Sequence, residues 1–115
     1  DAVGKGLPDA AAMQKEGERL LKAAKGANRL IALTPVGVQL TSEELAEYLE
    51  RQVRVYGRVA FLVGGPLGFS DEVLVQCHEQ LALSTLTLPH ELARIVLLEQ
   101  IYRACTILNN EQYHK

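Results

Sequence analysis

The sequence predicts an α/β fold in which a mostly parallel sheet is flanked by helices. Three observations point there. Residues 29–33 (Arg-Leu-Ile-Ala-Leu) and 58–63 (Arg-Val-Ala-Phe-Leu-Val) are short, nearly continuous apolar runs, the pattern of strands buried on both faces. A stretch with helical apolar spacing follows each run. Strand and helix then alternate three times with short connections, as in right-handed strand–helix–strand units.

Each element has its own signals. Residues 1–8 hold two glycines and a proline and read as a loop or frayed end. Residues 9–24 read as a helix, with Met13, Gly17, Leu20, Leu21 and Ala24 near one stripe and Lys15, Glu16, Glu18 and Arg19 facing water. Gly26 stops it. After the first strand, Thr34-Pro35-Val36-Gly37 reads as a turn. Thr41-Ser42-Glu43-Glu44 is a capping box, with Thr41 as N-cap and Glu44 reaching back. The helix it opens carries Leu45, Leu49, Val53 and Tyr56 on one side, and Gly57 follows at the C′ position. The second strand ends in Gly64-Gly65-Pro66-Leu67-Gly68. Ser70 then caps a helix with Val73, Leu74, Cys77 and Leu81 in register and His78 on its exposed side. Residues 83–88 read as a third strand, and residues 91–108 as a last helix before a polar tail.

Composition narrows the class. A chain of 115 residues makes one domain, here 1–115, and a partner subunit would add to its modest core. Charged residues are 23% and the net charge is −2, so any nucleic acid is not held by a large uniform positive field. Aromatics are 5% and Trp is absent, which argues against a stacking platform for single strands. No apolar run is long enough to span a bilayer, and the first residues lack the build of a signal peptide. Cys77 and Cys105 fall at apolar helical positions and read as buried thiols, which fits a reducing, cytoplasmic setting. The three histidines show no metal-ligand spacing and no Cys-x-x-Cys is present, so no metal site is expected.

In parallel sheets, ligands sit outside the carboxyl ends of the strands. Here those ends are residues 33–37, 64–68 and 88–90, three loops that converge. The glycine-rich turn lets a ligand approach the backbone, but it lacks the spacing of a dinucleotide or Walker loop and serves equally as a plain tight turn. The run Ser84-Thr85-Leu86-Thr87-Leu88-Pro89 offers backbone polar groups beside leucines, which suits an adenine ring; an ordinary Thr-rich strand is the alternative. His90, at the Pro-His corner, is either a local structural residue or part of a site. The last helix has two apolar stripes. Leu97, Leu98, Ile101, Ala104, Cys105 and Leu108 form one, and Leu92, Ile95 and Val96 the other, with Glu99 and Arg103 four apart on that second side. One sheet covers one stripe, so a homodimer through this C-terminal helix is expected to cover the other.

Gly64-Gly65-Pro66-Leu67-Gly68, then Leu83 to His90, then Glu99-Gln100-Ile101-Tyr102-Arg103-Ala104 and the terminal Tyr113-His114-Lys115 resemble the ribosomal RNA large subunit methyltransferase H family. Lys15-Glu16-Gly17-Glu18 and Ser42-Glu43-Glu44-Leu45-Ala46 agree in order and spacing, so the resemblance covers nearly the whole chain. It implies a SPOUT-type fold with a C-terminal trefoil knot, which periodicity does not reveal. Family members begin with a further strand and helix, so an N-terminal strand of the sheet is expected to be missing here. The resemblance also implies a homodimer that binds S-adenosylmethionine and methylates N3 of a pseudouridine in large-subunit ribosomal RNA on the assembled ribosome. Leu33, Gly64, Gly65, Leu83, Ser84, Thr85, Leu86, Thr87, Leu88 and Pro89 would line the methyl-donor site. Tyr113, His114 and Arg103 would lie near the target base.

Two positions depart from the family pattern, which often has Asp where Thr34 stands and Glu where Leu67 stands. The missing opening and Leu67 motivate an alternative from another class: a truncated, non-catalytic knotted homodimer that binds S-adenosylmethionine or ribosome without turnover. A doubly wound nucleotide binder without a knot is a third reading. For the catalytic reading, N3 of the base must lose a weakly acidic proton. His114 or a water is then the expected base, and Arg103 would favour the developing anion.

Overall fold

The computed structural model describes residues 7–64, 68–84, 86 and 88–110. Along the chain it forms α1 (Leu7–Ala23), β1 (Arg29–Gln39), α2 (Ser42–Tyr56), β2 (Val59–Val63), α3 (Asp71–Gln76), β3 (Glu79–Ala82) and α4 (His90–Leu108). The three strands make one parallel sheet in the order β2-β1-β3. An α/β architecture with a parallel sheet and flanking helices is therefore what the apolar runs specified.

β1 is central, so it is covered on both edges and both faces, and Ile31 and Ala32 are fully buried. Ile31 packs with Leu45, Tyr48 and Leu81, and Leu33, Leu49, Val59 and Phe61 close around that cluster. α2 forms because its start is prepaid by its own sequence. Thr41 Oγ1 accepts from Glu44 N, and Glu44 Oε1 accepts from Thr41 N at 2.9 Å. Gly57, at φ 83°, ends it with its N–H donating to Val53 O. Ser70 caps α3 by accepting from Val73 N. α1 approaches α3 closely at Gly17, where a Cβ would meet Val73 Cγ2 at 2.6 Å.

Several expectations are corrected. Residues 34–37 do not turn the chain away; β1 continues to Gln39. Leu33 and Val38 both pair with Leu81, so Thr34 to Gly37 loop out as a wide bulge and the strand then rejoins β3. Gly37 permits this, since a Cβ there would lie 2.6 Å from both the Gln80 carbonyl carbon and Leu81 N. The third strand is Glu79–Ala82, ahead of the expected 83–88. Cys77 takes an extended conformation (φ −83°, ψ 140°) and ends α3, which frees the next residues to pair with β1. His78 is accordingly not on a helix. Its backbone N donates to Leu30 O, and its Nδ1 accepts from Leu30 N at 2.9 Å, extending the ladder by one side chain.

Both cysteines are free thiols, but neither is fully buried. Cys77 is partly covered, and burial pushes its thiol pKa up; Cys105 is exposed. The faces of α4 also differ from expectation. Leu97, Ala104 and Thr106 are buried, whereas Leu92, Ile95, Leu98, Tyr102 and Leu108 are exposed, Ile95 at 63% and Leu98 at 60%. Leu97 and Ala104 are seven residues apart and nearly eclipsed, and Leu98 and Cys105 each sit about 100° round from them. The packed face is thus narrower than the apolar pattern. Among the described residues no helix is long and apolar enough to cross a membrane.

Candidate functional site

The bulge of β1, the carboxyl end of β2 and the segment that follows β3 open onto one cavity of about 730 Å³, within the usual range for small-molecule sites. Its apolar walls come from Leu33, Val63, Phe69, Leu74, Leu86 and Leu88. Gly64 makes room for the Phe69 ring, which lies 3.3 Å from where a Cβ would be. Gly68, at φ 81°, shapes the far rim. The Ser84 hydroxyl accepts from Leu86 N at 3.0 Å, and both residues line the cavity. Pro89 then starts α4 without a side-chain cap, and His90 and Ala93 complete the wall.

No carboxylate, Lys or Arg lines the cavity among the described residues; its polar side chains are Thr34, Gln80, Ser84 and His90. Such a site takes a ligand through flat apolar contact and neutral hydrogen bonds. Of the residues singled out from sequence, Leu33, Gly64, Leu83, Ser84, Leu86, Leu88 and Pro89 border this cavity. Gly65, Thr85, Thr87, Tyr113 and His114 lie outside the described residues. Thr34, singled out as a departure from the family pattern, also borders the cavity, whereas Gln80 and Phe69 were not singled out as site residues. Gln80 was hidden because the apolar spacing of residues 73–81 fits a helix, and Phe69 because a lone aromatic in a glycine-rich loop has no periodic signal.

Arg103 stands on α4 away from this lining, in a hydrogen-bonded chain. Its Nη2 donates to Glu99 Oε2 at 2.8 Å. Gln100 Nε2 donates to Glu99 Oε1 at 2.9 Å, and Ser42 Oγ donates to Gln100 Oε1 at 2.9 Å, so the pair is tied to the start of α2. Ser42 and Gln100 line a smaller hollow of about 280 Å³ that shares Leu83 with the main cavity. Among the described residues no group of His, Cys, Asp and Glu could hold a metal ion.

A second polar cluster lies at the opposite end of the sheet. Arg29 donates to Glu79 Oε2 at 2.7 Å and to Gln52 Oε1 at 3.1 Å, and its guanidinium sits 4.1 Å over the Tyr56 ring. The Tyr48 hydroxyl donates to Glu79 Oε1 at 2.5 Å. Burial and that bond push the Tyr48 phenol up. Burial also pushes Glu79 up, but the bonds from Tyr48 and Arg29, with the Arg29 charge, outweigh it and hold the carboxyl below its usual value. This cluster lines neither of the two hollows described above and reads as structural.

Comparisons with known proteins place these features together. A family model described as "Predicted SPOUT methyltransferase" matches residues 4–114. The chain is 44% identical over 111 residues to ribosomal RNA large subunit methyltransferase H of Parabacteroides distasonis, a match covering 96% of this chain and 71% of that protein. It is 47% identical over 108 residues to the protein of the same name from Legionella pneumophila (strain Paris), covering 93% and 69%. To that from Bacillus pumilus it is 46% identical over 103 residues, covering 88% and 64%.

Proposed function

Because the chain belongs to the SPOUT methyltransferase family, with relatives named ribosomal RNA large subunit methyltransferase H, we propose that it is an S-adenosylmethionine-dependent methyltransferase acting on N3 of a pseudouridine in large-subunit ribosomal RNA. The observation that carries this reading is the cavity at the strand ends. Its leucine walls, close glycine backbone and neutral polar groups fit a flat adenine ring with a polar tail. S-adenosylmethionine, when bound, supplies a methyl group on a positively charged sulfur.

In this reading Leu33, Leu83, Leu86 and Leu88 hold the adenosine part, and Gly64 and Gly65 let the backbone reach its edge. Ser84, Thr85, Thr87 and Pro89 complete the lining of the donor site. His114 takes the N3 proton of the base, Tyr113 packs beside it, and Arg103 favours the resulting anion. The Glu99–Gln100–Ser42 chain supports this role for Arg103 by restricting its guanidinium. The reading brings with it the trefoil knot of the family, a cytoplasmic setting with ribosomes, and a homodimer. The exposed stripe Leu92, Ile95, Leu98 and Tyr102 on α4 supports the dimer, since each large apolar side chain gains about 1.5–3 kcal/mol on burial.

Calorimetry with S-adenosylmethionine, followed by methyl transfer to ribosomes lacking the modification, tests the reading. Binding with transfer is expected. Binding without transfer would instead support a non-catalytic knotted dimer. In sedimentation, Leu98→Glu is expected to shift the chain from dimer to monomer; an unchanged dimer would place the interface elsewhere.

A further inference from the structure

The polar corner of the cavity contains a hydrogen bond that the reading above leaves unused. Thr34 Oγ1 donates to Gln80 Oε1 at 2.9 Å, and both residues line the cavity. A side-chain amide has one acceptor oxygen and two N–H donors. With Thr34 on the oxygen, the N–H end of the amide is left for a ligand. The Nε2 hydrogens of Gln80 have no partner among the described residues.

The backbone under this pair is fixed. Gln80 pairs with Ala32 in the β1–β3 ladder. Where β1 returns from its bulge, Gly37 lies against Gln80 so closely that a Cβ would be 2.8 Å from the Gln80 carbonyl oxygen. Gln80 is itself exposed to the open cavity. The competing side chains are the Ser84 hydroxyl, whose oxygen already accepts from Leu86 N, and His90 at the start of α4; no Lys or Arg lines the wall among the described residues. An apolar slot that must also hold an oxygen-rich tail needs an N–H donor at its edge, and the Gln80 amide, bonded through its oxygen to Thr34, presents one.

Resting on the reading of this cavity as the methyl-donor site, we propose that Gln80, oriented by Thr34, is a specificity-determining residue. Its Nε2 donates to an oxygen at the polar end of the donor, either the carboxylate or a ribose hydroxyl. Thr34 is a positioning residue that keeps the amide from turning its oxygen toward the ligand.

Calorimetric titration separates the possibilities, with S-adenosylhomocysteine as one probe and 5′-methylthioadenosine, which lacks the carboxylate, as the other. Gln80→Leu is expected to weaken S-adenosylhomocysteine by about tenfold, the range for one lost hydrogen bond. Gln80→Glu keeps the shape but replaces donors with acceptors, so it loses at least as much. Thr34→Val loses about threefold, because the amide is then free to flip, and Thr34→Ser restores binding. A loss confined to S-adenosylhomocysteine assigns the carboxylate; a loss with both probes assigns the ribose. Unchanged affinity in both Gln80 variants, with wild-type protein binding normally, overturns the inference and leaves the donor site standing. Failure of wild-type protein to bind either probe overturns both. Because Gln80 is exposed, the variants are expected to melt within a few degrees of wild type.

Discussion

The two ends of the sheet are built on opposite terms. At the amino end, Arg29, Gln52, Tyr48 and Glu79 satisfy one another in a partly buried cluster. Among the described residues no buried side-chain nitrogen or oxygen lacks a partner. At the other end the side chains enclose about 730 Å³ of space, and the Gln80 amide leaves its N–H donors without a protein partner among the described residues. A charged network gains from being closed, since a buried charge without a partner is costly. A binding site has to leave groups unpaired, and that is tolerable only where they are neutral and open to solvent. In the proposed reading, the same three strands carry stability at one end and recognition at the other.

Gly37→Ala gives the largest test of that division. Its Cβ would meet the backbone of Gln80 and Leu81 at 2.6 Å, and backbone does not yield as a side-chain tip does. The bulge has to lift from β3 at the cavity edge, at a cost of about 3 kcal/mol in urea unfolding. Donor affinity is expected to fall more than tenfold, while Tyr48 and Glu79 stay paired. Equal stability and affinity in the variant would show that the bulge does not shape the site.

Tyr48→Phe breaks the other end. Loss of a hydrogen bond to a carboxylate is worth about 1–2 kcal/mol, and donor affinity is expected to be unchanged. A matching loss of affinity would show that the two ends are coupled through β3.

Smallest is the pH effect. The folded pKa of Glu79 is depressed, so its stabilising contribution is present above the unfolded value, near 4.5, and is lost as pH falls through the lower folded value. The folded pKa of Tyr48 is raised, so its contribution is present below 10 and disappears only as pH rises through a higher folded value. Stability is expected to be flat between these limits and to fall on the acid side. In Tyr48→Phe the acid loss should begin at higher pH, because one of the bonds that depress Glu79 is gone. Acid curves that superimpose would exclude Glu79 as the titrating group.

Much of the fold was legible wherever a signal was local. The capping box at Thr41 and Glu44, the Gly57 terminus and the Ser70 cap are each written in a few adjacent residues, because a helix end must satisfy its own backbone groups. The apolar runs of β1 and β2 were legible for a similar reason: a strand covered on both faces has no polar side to show. β3 was not, because Val73, Leu74, Cys77 and Leu81 fit a helical stripe while Glu79–Ala82 is too short to show a period of two. Much of the cavity wall was read through its glycines, leucines and Pro-His corner. Gln80 was missed with the strand that carries it.

The sequence by itself determined the order of strands and helices, their caps and the family, since these depend on neighbours along the chain and on motifs of fixed spacing. Only the tertiary structure decided that Leu98 is exposed while Leu97 is buried, that Thr34 and Gln80 meet across 46 residues of chain, and that β1 passes through a bulge to reach β3 twice. Those outcomes follow from packing: which side of a helix finds a surface, and which polar atoms are left facing each other when strands distant in sequence are paired.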